Sequence, residues 1–195
     1  MNLRVRSFPP LVGPQPRVLV LGSMPGIASL NANRYYAHPR NQFWPMLGAL
    51  LGFDPQADYA QRVQALHRAG IALWDVLAEC ERDGSLDSAI DTKSEQANAV
   101  PALLAAHPSI RTILLNGQKA ATSLRRHHRA IGIDTTTLPS TSPAHAGMTT
   151  VEKFARWHRA LRAVAAASNQ GPGISDLFQG GYPTQVLGLG QLLAS

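Results

Sequence analysis

The sequence predicts a three-layer αβα domain, with a short parallel sheet at its centre and helices on both faces. Three observations carry that expectation. Short apolar runs at Val18–Leu21, Ile71–Trp74 and Thr112–Leu115 have the length and composition of strands buried on both sides. Amphipathic stretches lie between them, and strands that alternate with helices form parallel sheets. The chain has 195 residues, 45% hydrophobic and 15% charged, which suits one domain with its own core.

Taken in order, residues 1–16 are rich in proline and read as an irregular arm. Arg17–Leu21 is the first strand. Gly22-Ser23-Met24-Pro25-Gly26 follows at once, a tight turn at the carboxyl end of a strand, where open α/β sheets place their ligands. The next segment, Tyr35-Tyr36-Ala37-His38-Pro39-Arg40-Asn41, is polar and aromatic, and suits a pocket that grips a flat polar ring near a phosphate. Phe43, Trp44, Leu47, Leu50 and Leu51 recur at helical spacing, so a helix runs from Asn41 or Gln42 to Leu51. Pro45 falls in its first turn, where a missing N–H does no harm.

Tyr59–Ala69 is the second helix, with Val63 and Leu66 inward and Gly70 at its end. Ile71–Trp74 is a strand, Asp75-Val76-Leu77 leads out of it, and residues 81–96 read as a polar surface excursion. Ala97–His107 is a helix closed by Pro108. Thr112–Leu115 is the third strand, followed by Asn116-Gly117. The helix Gln118–His128 exposes Arg125 and Arg126, with Arg129 just beyond. Asp134–Leu138 is the fourth strand, and Pro139–Gly147 a loop dense in hydroxyls. Thr149-Thr150-Val151-Glu152 matches a capping box and opens the last helix. Phe154, Trp157, Leu161 and Val164 form its inner stripe, with Lys153, Arg156, Arg159 and Arg162 off it. The domain therefore spans 1–168. Residues 169–195 read as a weakly specified tail, with a short apolar helix near Val186–Leu193.

Net charge is +6, and its placement is uneven. Residues 1–53 carry +5, residues 54–110 carry −5 and residues 111–168 carry +7. The two basic segments also hold the two unusual loops, so their meeting would make a positive face suited to phosphate and nucleic acid. One cysteine, Cys80, excludes an internal disulfide and a four-cysteine iron–sulfur cluster. No apolar run is long enough to span a membrane, and Pro9-Pro10 interrupts the place of a signal peptide, so a cytoplasmic protein is expected.

In such a sheet the loops after the first, third and fourth strands open on one edge. The meeting place should hold aromatics, amides, hydroxyls and backbone N–H groups, without a dense carboxylate cluster. It lacks metal spacing, since the adjacent His127-His128 cannot share a helix face. Gly117-Gln118-Lys119 has no P-loop glycine spacing, and neither a G-x-S-x-G elbow nor a zinc-deaminase signature occurs.

Several stretches, in order, carry a resemblance. They are Gly22–Gly26, Tyr35–Trp44, Gly70–Val76, Ser85-Leu86-Asp87-Ser88, Asn116-Gly117 and Leu138–Ala146. Over residues 8–165 the chain resembles the uracil-DNA glycosylase superfamily, and within it the hypoxanthine-DNA (deoxyinosine) glycosylase branch. The resemblance implies the three-layer fold already expected. It implies hydrolysis of the N-glycosidic bond of a deaminated base in DNA, with no metal or other cofactor. Deoxyinosine is the expected substrate, with uracil a second one. A mismatch-type uracil or thymine glycosylase, and a non-catalytic DNA-binding module on the same scaffold, remain open. A monomer is expected.

The site residues follow from the same resemblance. In the best-known uracil glycosylases, an Asp or Asn at the third position of the first motif holds the attacking water. Here that position is Met24, and a thioether cannot orient water as a carboxylate or amide does. The hypoxanthine branch is similar at that position and is understood to use the Asn of its P-x-N-x-F-W segment, which is Asn41. Gly22, Ser23 and Met24 would bind the base through backbone N–H groups, with Tyr36 in the stacking place and Phe43 beside it. Asn116 could read the base edge, or equally be a turn-forming Asn before glycine. Ser140 and Ser142 would bind phosphate, helped by the start of the last helix. Ser140 stands where other branches have His or Asn, so help to the leaving group is not expected from it. Ala144 occupies the place of a leucine wedge and is small, which favours bases already mispaired. His145 could touch the target strand or be an exposed loop histidine. Asp75 and Asp87 read as structural carboxylates, with a catalytic role as the second reading.

Overall fold

Alternating side chains on one strand set the layers. In β2 (Val18–Gly22) every residue is buried. Val18 and Val20 face one core, Leu19 and Leu21 the other, as the pleat of a strand requires. The computed structural model describes residues 3–167. Its main sheet has the order β3-β2-β6-β7, with β3 (Ile71–Asp75), β6 (Thr112–Asn116) and β7 (Asp134–Leu138) all parallel to their neighbours.

The first core lies under α2 (Phe43–Leu51), α3 (Tyr59–Arg68) and α6 (Thr150–Ala167), through Phe43, Leu47, Leu66, Trp157 and Leu161. The second lies under α4 (Val100–Ala106) and α5 (Gln118–His127), through Val100, Ala120, Ala121 and Leu124. The three layers are thus those expected. No helix among the described residues is long and apolar enough to cross a membrane.

Four features depart from the sequence reading. The N-terminal arm is not wholly irregular: β1 (Leu3–Arg6) pairs antiparallel with β4 (Leu77–Arg82), which pairs with β5 (Gln96–Ala97) in a second small sheet. Leu11 also exchanges backbone hydrogen bonds with Leu73, covering the open edge of β3. β4 escapes notice in the sequence because Glu79 and Arg82, on its buried positions, are charged. A short helix, α1 (Ile27–Ala32), fills part of the loop after β2 and is too brief to show a periodicity. Helix α4 starts at Val100, because the Asn98 side chain donates to the carbonyls of Asp75 and Leu77 and holds the preceding residues extended.

The fourth departure is Lys153, which is 3% exposed and not off the inner stripe. Its Nζ donates to the His145 carbonyl at 2.7 Å and so supports the hydroxyl-rich loop from below. The capping box forms as expected: Thr149 Oγ1 accepts the Glu152 N–H, and Glu152 Oε2 accepts the Thr149 N–H. The tail 169–195 lies outside the described residues.

Candidate active site

Three loops leave the carboxyl edge of the main sheet and meet at Thr141. This residue is fully buried. Its N–H donates to Asn116 Oδ1 and its hydroxyl accepts from Asn116 Nδ2, both at 2.9 Å. Its carbonyl accepts the Gln42 N–H at 3.0 Å. Gln42 Nε2 reaches on to Thr150 Oγ1 at 2.7 Å, at the start of α6. Gly117, at φ 100°, is in a conformation that side chains avoid, and a Cβ there would stand 3.0 Å from Ser140 Cβ.

Asn116 is 6% exposed, and each end of its amide makes a hydrogen bond to Thr141. It holds the loop. Asn116→Ala would strip two bonds from the buried Thr141 and leave its N–H unpaired. A loss of about 1–3 kcal/mol in urea unfolding is expected.

The first loop closes over Gly22 because Gly22 has no side chain. A Cβ there would collide with Asp75 Oδ1 and lie 3.1 Å from the Tyr36 hydroxyl. Register places Asp75 opposite Gly22 at the sheet's end. Tyr36 has φ 54°, a left-handed conformation unusual for a bulky residue and common where function holds a side chain in place. Its ring lies on Phe43, with centroids 4.0 Å apart and planes at 24°. Phe43 is itself fully buried, edge-on to Trp44 and Trp157. It backs Tyr36 and does not reach the surface of the site, which corrects its expected place among direct base contacts. Asn41, half-buried, stands one turn on, where its Oδ1 accepts the Phe43 N–H at 2.9 Å and fixes the amide at the mouth of α2.

Met24 is 6% exposed and its thioether packs in the second core. What remains at the turn is backbone. The carbonyls of Gly22 and Ser23 accept the Val76 and Leu77 N–H groups. The N–H groups of Ser23 and Met24 have no acceptor among the described residues. The Ser23 hydroxyl donates to Asp87 Oδ1 at 2.6 Å.

Carboxylates come closer to this turn than the sequence suggested. Burial, then the neighbouring Asp87, push the Asp75 carboxyl up to about 8, against a smaller downward pull from Arg82. Burial raises Asp87 as well, opposed by the Ser23 hydrogen bond and Arg82. Arg82, 1% exposed, donates Nη2 to the Pro25 carbonyl at 2.6 Å and so ties the turn to β4. Burial, then Asp75, raise the Tyr36 phenol above its ordinary range. Gln42 Oε1 and Asp75 Oδ2 are buried without a hydrogen-bond partner among the described residues, and the buried Tyr36 hydroxyl has the Asn116 side chain beside it. Polar atoms left so are uncommon in native interiors and suit a site that receives a polar ligand.

On the far side, the Ser142 N–H donates to Ser140 Oγ and the Ala144 N–H to Ser142 Oγ. Each hydroxyl keeps its own hydrogen for an outside acceptor. Ala144 and His145 are exposed at the rim. Sequence reasoning missed Thr141 and Gln42, whose roles are set by long-range pairing, and the approach of Asp75, which only strand register could have revealed. Among the described residues no group of His, Cys, Asp or Glu is placed to hold a metal ion.

The model of the uracil DNA glycosylase superfamily matches residues 9–164. Among curated proteins, the chain is 37% identical over 144 residues to a hypoxanthine DNA glycosylase of Methanosarcina barkeri (strain Fusaro), covering 73% of this chain and 89% of the relative. It is 35% identical over 141 residues to a hypoxanthine DNA glycosylase of Methanosarcina acetivorans, covering 72% of this chain and 87% of that one. Among solved structures, it is similar to the solution NMR structure of a candidate uracil DNA glycosylase from Methanosarcina acetivorans. The TM-score is 0.72 at 30% identity, over 84% of this chain and 99% of the other.

Proposed function

The chain belongs to the uracil DNA glycosylase superfamily, and on that premise we propose that it hydrolyses the N-glycosidic bond of deoxyinosine in DNA, releasing hypoxanthine. Uracil is a secondary substrate. The protein acts as a monomer, in the cytoplasm, without a metal or other cofactor.

Glycosidic cleavage can proceed through an oxocarbenium-like sugar. Water then needs positioning more than deprotonation, and the departing base needs its growing negative charge stabilised. Asn41 positions the water. The Ser23 and Met24 N–H groups face the base, Tyr36 stacks on it with Phe43 behind, and Ser140 and Ser142 meet phosphate beside the start of α6. Ala144 and His145 meet the duplex at the rim. The absence of a bulky wedge at Ala144 favours lesions that are already mispaired, where extrusion is cheaper.

The observation that carries this reading is the state of Met24 and Asn41. The position where a water-holding carboxylate is expected carries a core thioether, while a polar amide is fixed by the Phe43 N–H at the mouth of the same loop. The test is base release from duplexes that carry hypoxanthine, uracil or xanthine. Hypoxanthine should be released fastest. Release of uracil or thymine in preference would assign a mismatch-type enzyme. Tight, salt-sensitive binding with no abasic product would assign a DNA-binding module.

A further inference from the structure

We propose that Asp75 is a catalytic acid of this cleavage, giving its carboxyl proton to the departing base beside the Gly22 turn; the proposal rests on the glycosylase reading above. The geometry comes first. Asp75 ends β3 level with Gly22, is 3% exposed, and sets Oδ1 in the space over Gly22 that a side chain would fill. Buried carboxylates with a structural task use their oxygens. Asp87 takes the Ser23 hydroxyl, and Glu95 takes Lys119 and His127. Asp75 Oδ2 is wholly buried and has no hydrogen-bond partner among the described residues. The backbone carbonyl of Asp75 is held by Asn98.

The groups facing it are Asp87 on the turn after β4, Arg82 on β4, and Tyr35 and Tyr36 on the first loop. With the carboxyl pushed up to about 8, Asp75 carries its proton at neutral pH. The balance of the step is simple. The bond from the sugar C1′ to the base nitrogen breaks, and its electron pair stays with the base. The Asp75 proton passes to the base. Water adds its oxygen to C1′, and the proton it sheds restores Asp75 through solvent. The sum is one water split across one bond.

The experiment is hypoxanthine release from a duplex in single turnover, across about pH 6–10, for wild type and Asp75→Asn. The wild-type rate should fall tenfold per unit above about pH 8. The variant should be about 100-fold slower near neutrality and should lack that fall. Ionisation of the base itself would leave the fall in both proteins. That result, or a variant as fast as wild type, overturns the assignment.

Folding is read in parallel. A raised carboxyl contributes stability that is fully present below the ordinary carboxylate value of 3.8 and is lost as pH rises from there to about 8. Asp75→Asn should therefore melt with less pH dependence and at least as high at pH 8. If the variant does not fold, carbon-13 titration of the wild-type Asp75 carboxyl decides. A group still protonated near neutrality, and deprotonating in step with the loss of activity, supports the role; one already ionised overturns it. Wild type that releases no damaged base would sink the glycosylase reading itself, whereas an active wild type with an indifferent Asp75→Asn sinks only this inference.

Discussion

Asn41→Ala should slow hypoxanthine release by about 10²–10³-fold in single turnover, with binding to undamaged duplex nearly unchanged. The expectation follows from placement. The amide is held by the Phe43 N–H, so little order has to be gained when a water settles against it. The same bond makes the variant ambiguous by itself, because losing it also loosens the start of α2, at a cost of about 1 kcal/mol. Asn41→Asp separates the two effects. A carboxylate still accepts the Phe43 N–H and still orients water. It should fold like wild type and keep more activity than Asn41→Ala. If alanine is tolerated at full rate, the water is held elsewhere.

Gly22→Ala should be nearly as damaging. Its Cβ would meet Asp75 Oδ1 and press on the Tyr36 hydroxyl, two groups that cannot retreat because both are buried. Overpacking of this kind costs about 1–3 kcal/mol. Displacing the stacking ring should lower the rate about 100-fold even where the protein stays folded. Gly147→Ala is the control: nothing lies within 4 Å of a Cβ there, so stability and rate should hold. Equal effects at the two glycines would show that the crowding at Gly22 is not what matters.

Much of the fold was legible because local pattern and tertiary role agree. Val18–Leu21 reads as a buried strand and is one, with its alternate residues feeding the two cores. The capping box at Thr149–Glu152 is decided by four neighbouring residues, and it forms. The failures share a cause. β4 carries Glu79 and Arg82 inward, since Arg6 and Arg4 pair with the first and the Pro25 carbonyl with the second. Lys153 is buried for the sake of a loop carbonyl eight residues away in the chain. Neither partner can be read from the periodicity of the segment itself.

At the site the same division holds. The glycine turn and the aromatic loop were visible as motifs. The clasp of Asn116 on Thr141, the burial of Met24, and the nearness of Asp75 to Gly22 depend on which strands are neighbours. A buried acid among apolar residues is a weak sign in a sequence and a clear one once Oδ2 is seen to be buried without a partner.

The most direct test is a structure of the protein with a duplex bearing an uncleavable deoxyinosine, its sugar fluorinated at the 2′ position. The account predicts the extruded base on the Tyr36 ring, its edge toward the Gly22–Met24 backbone, and a water within about 3.2 Å of the Asn41 amide facing C1′. A base seated elsewhere, or an Asn41 amide turned to solvent with no water beneath the sugar, would contradict it.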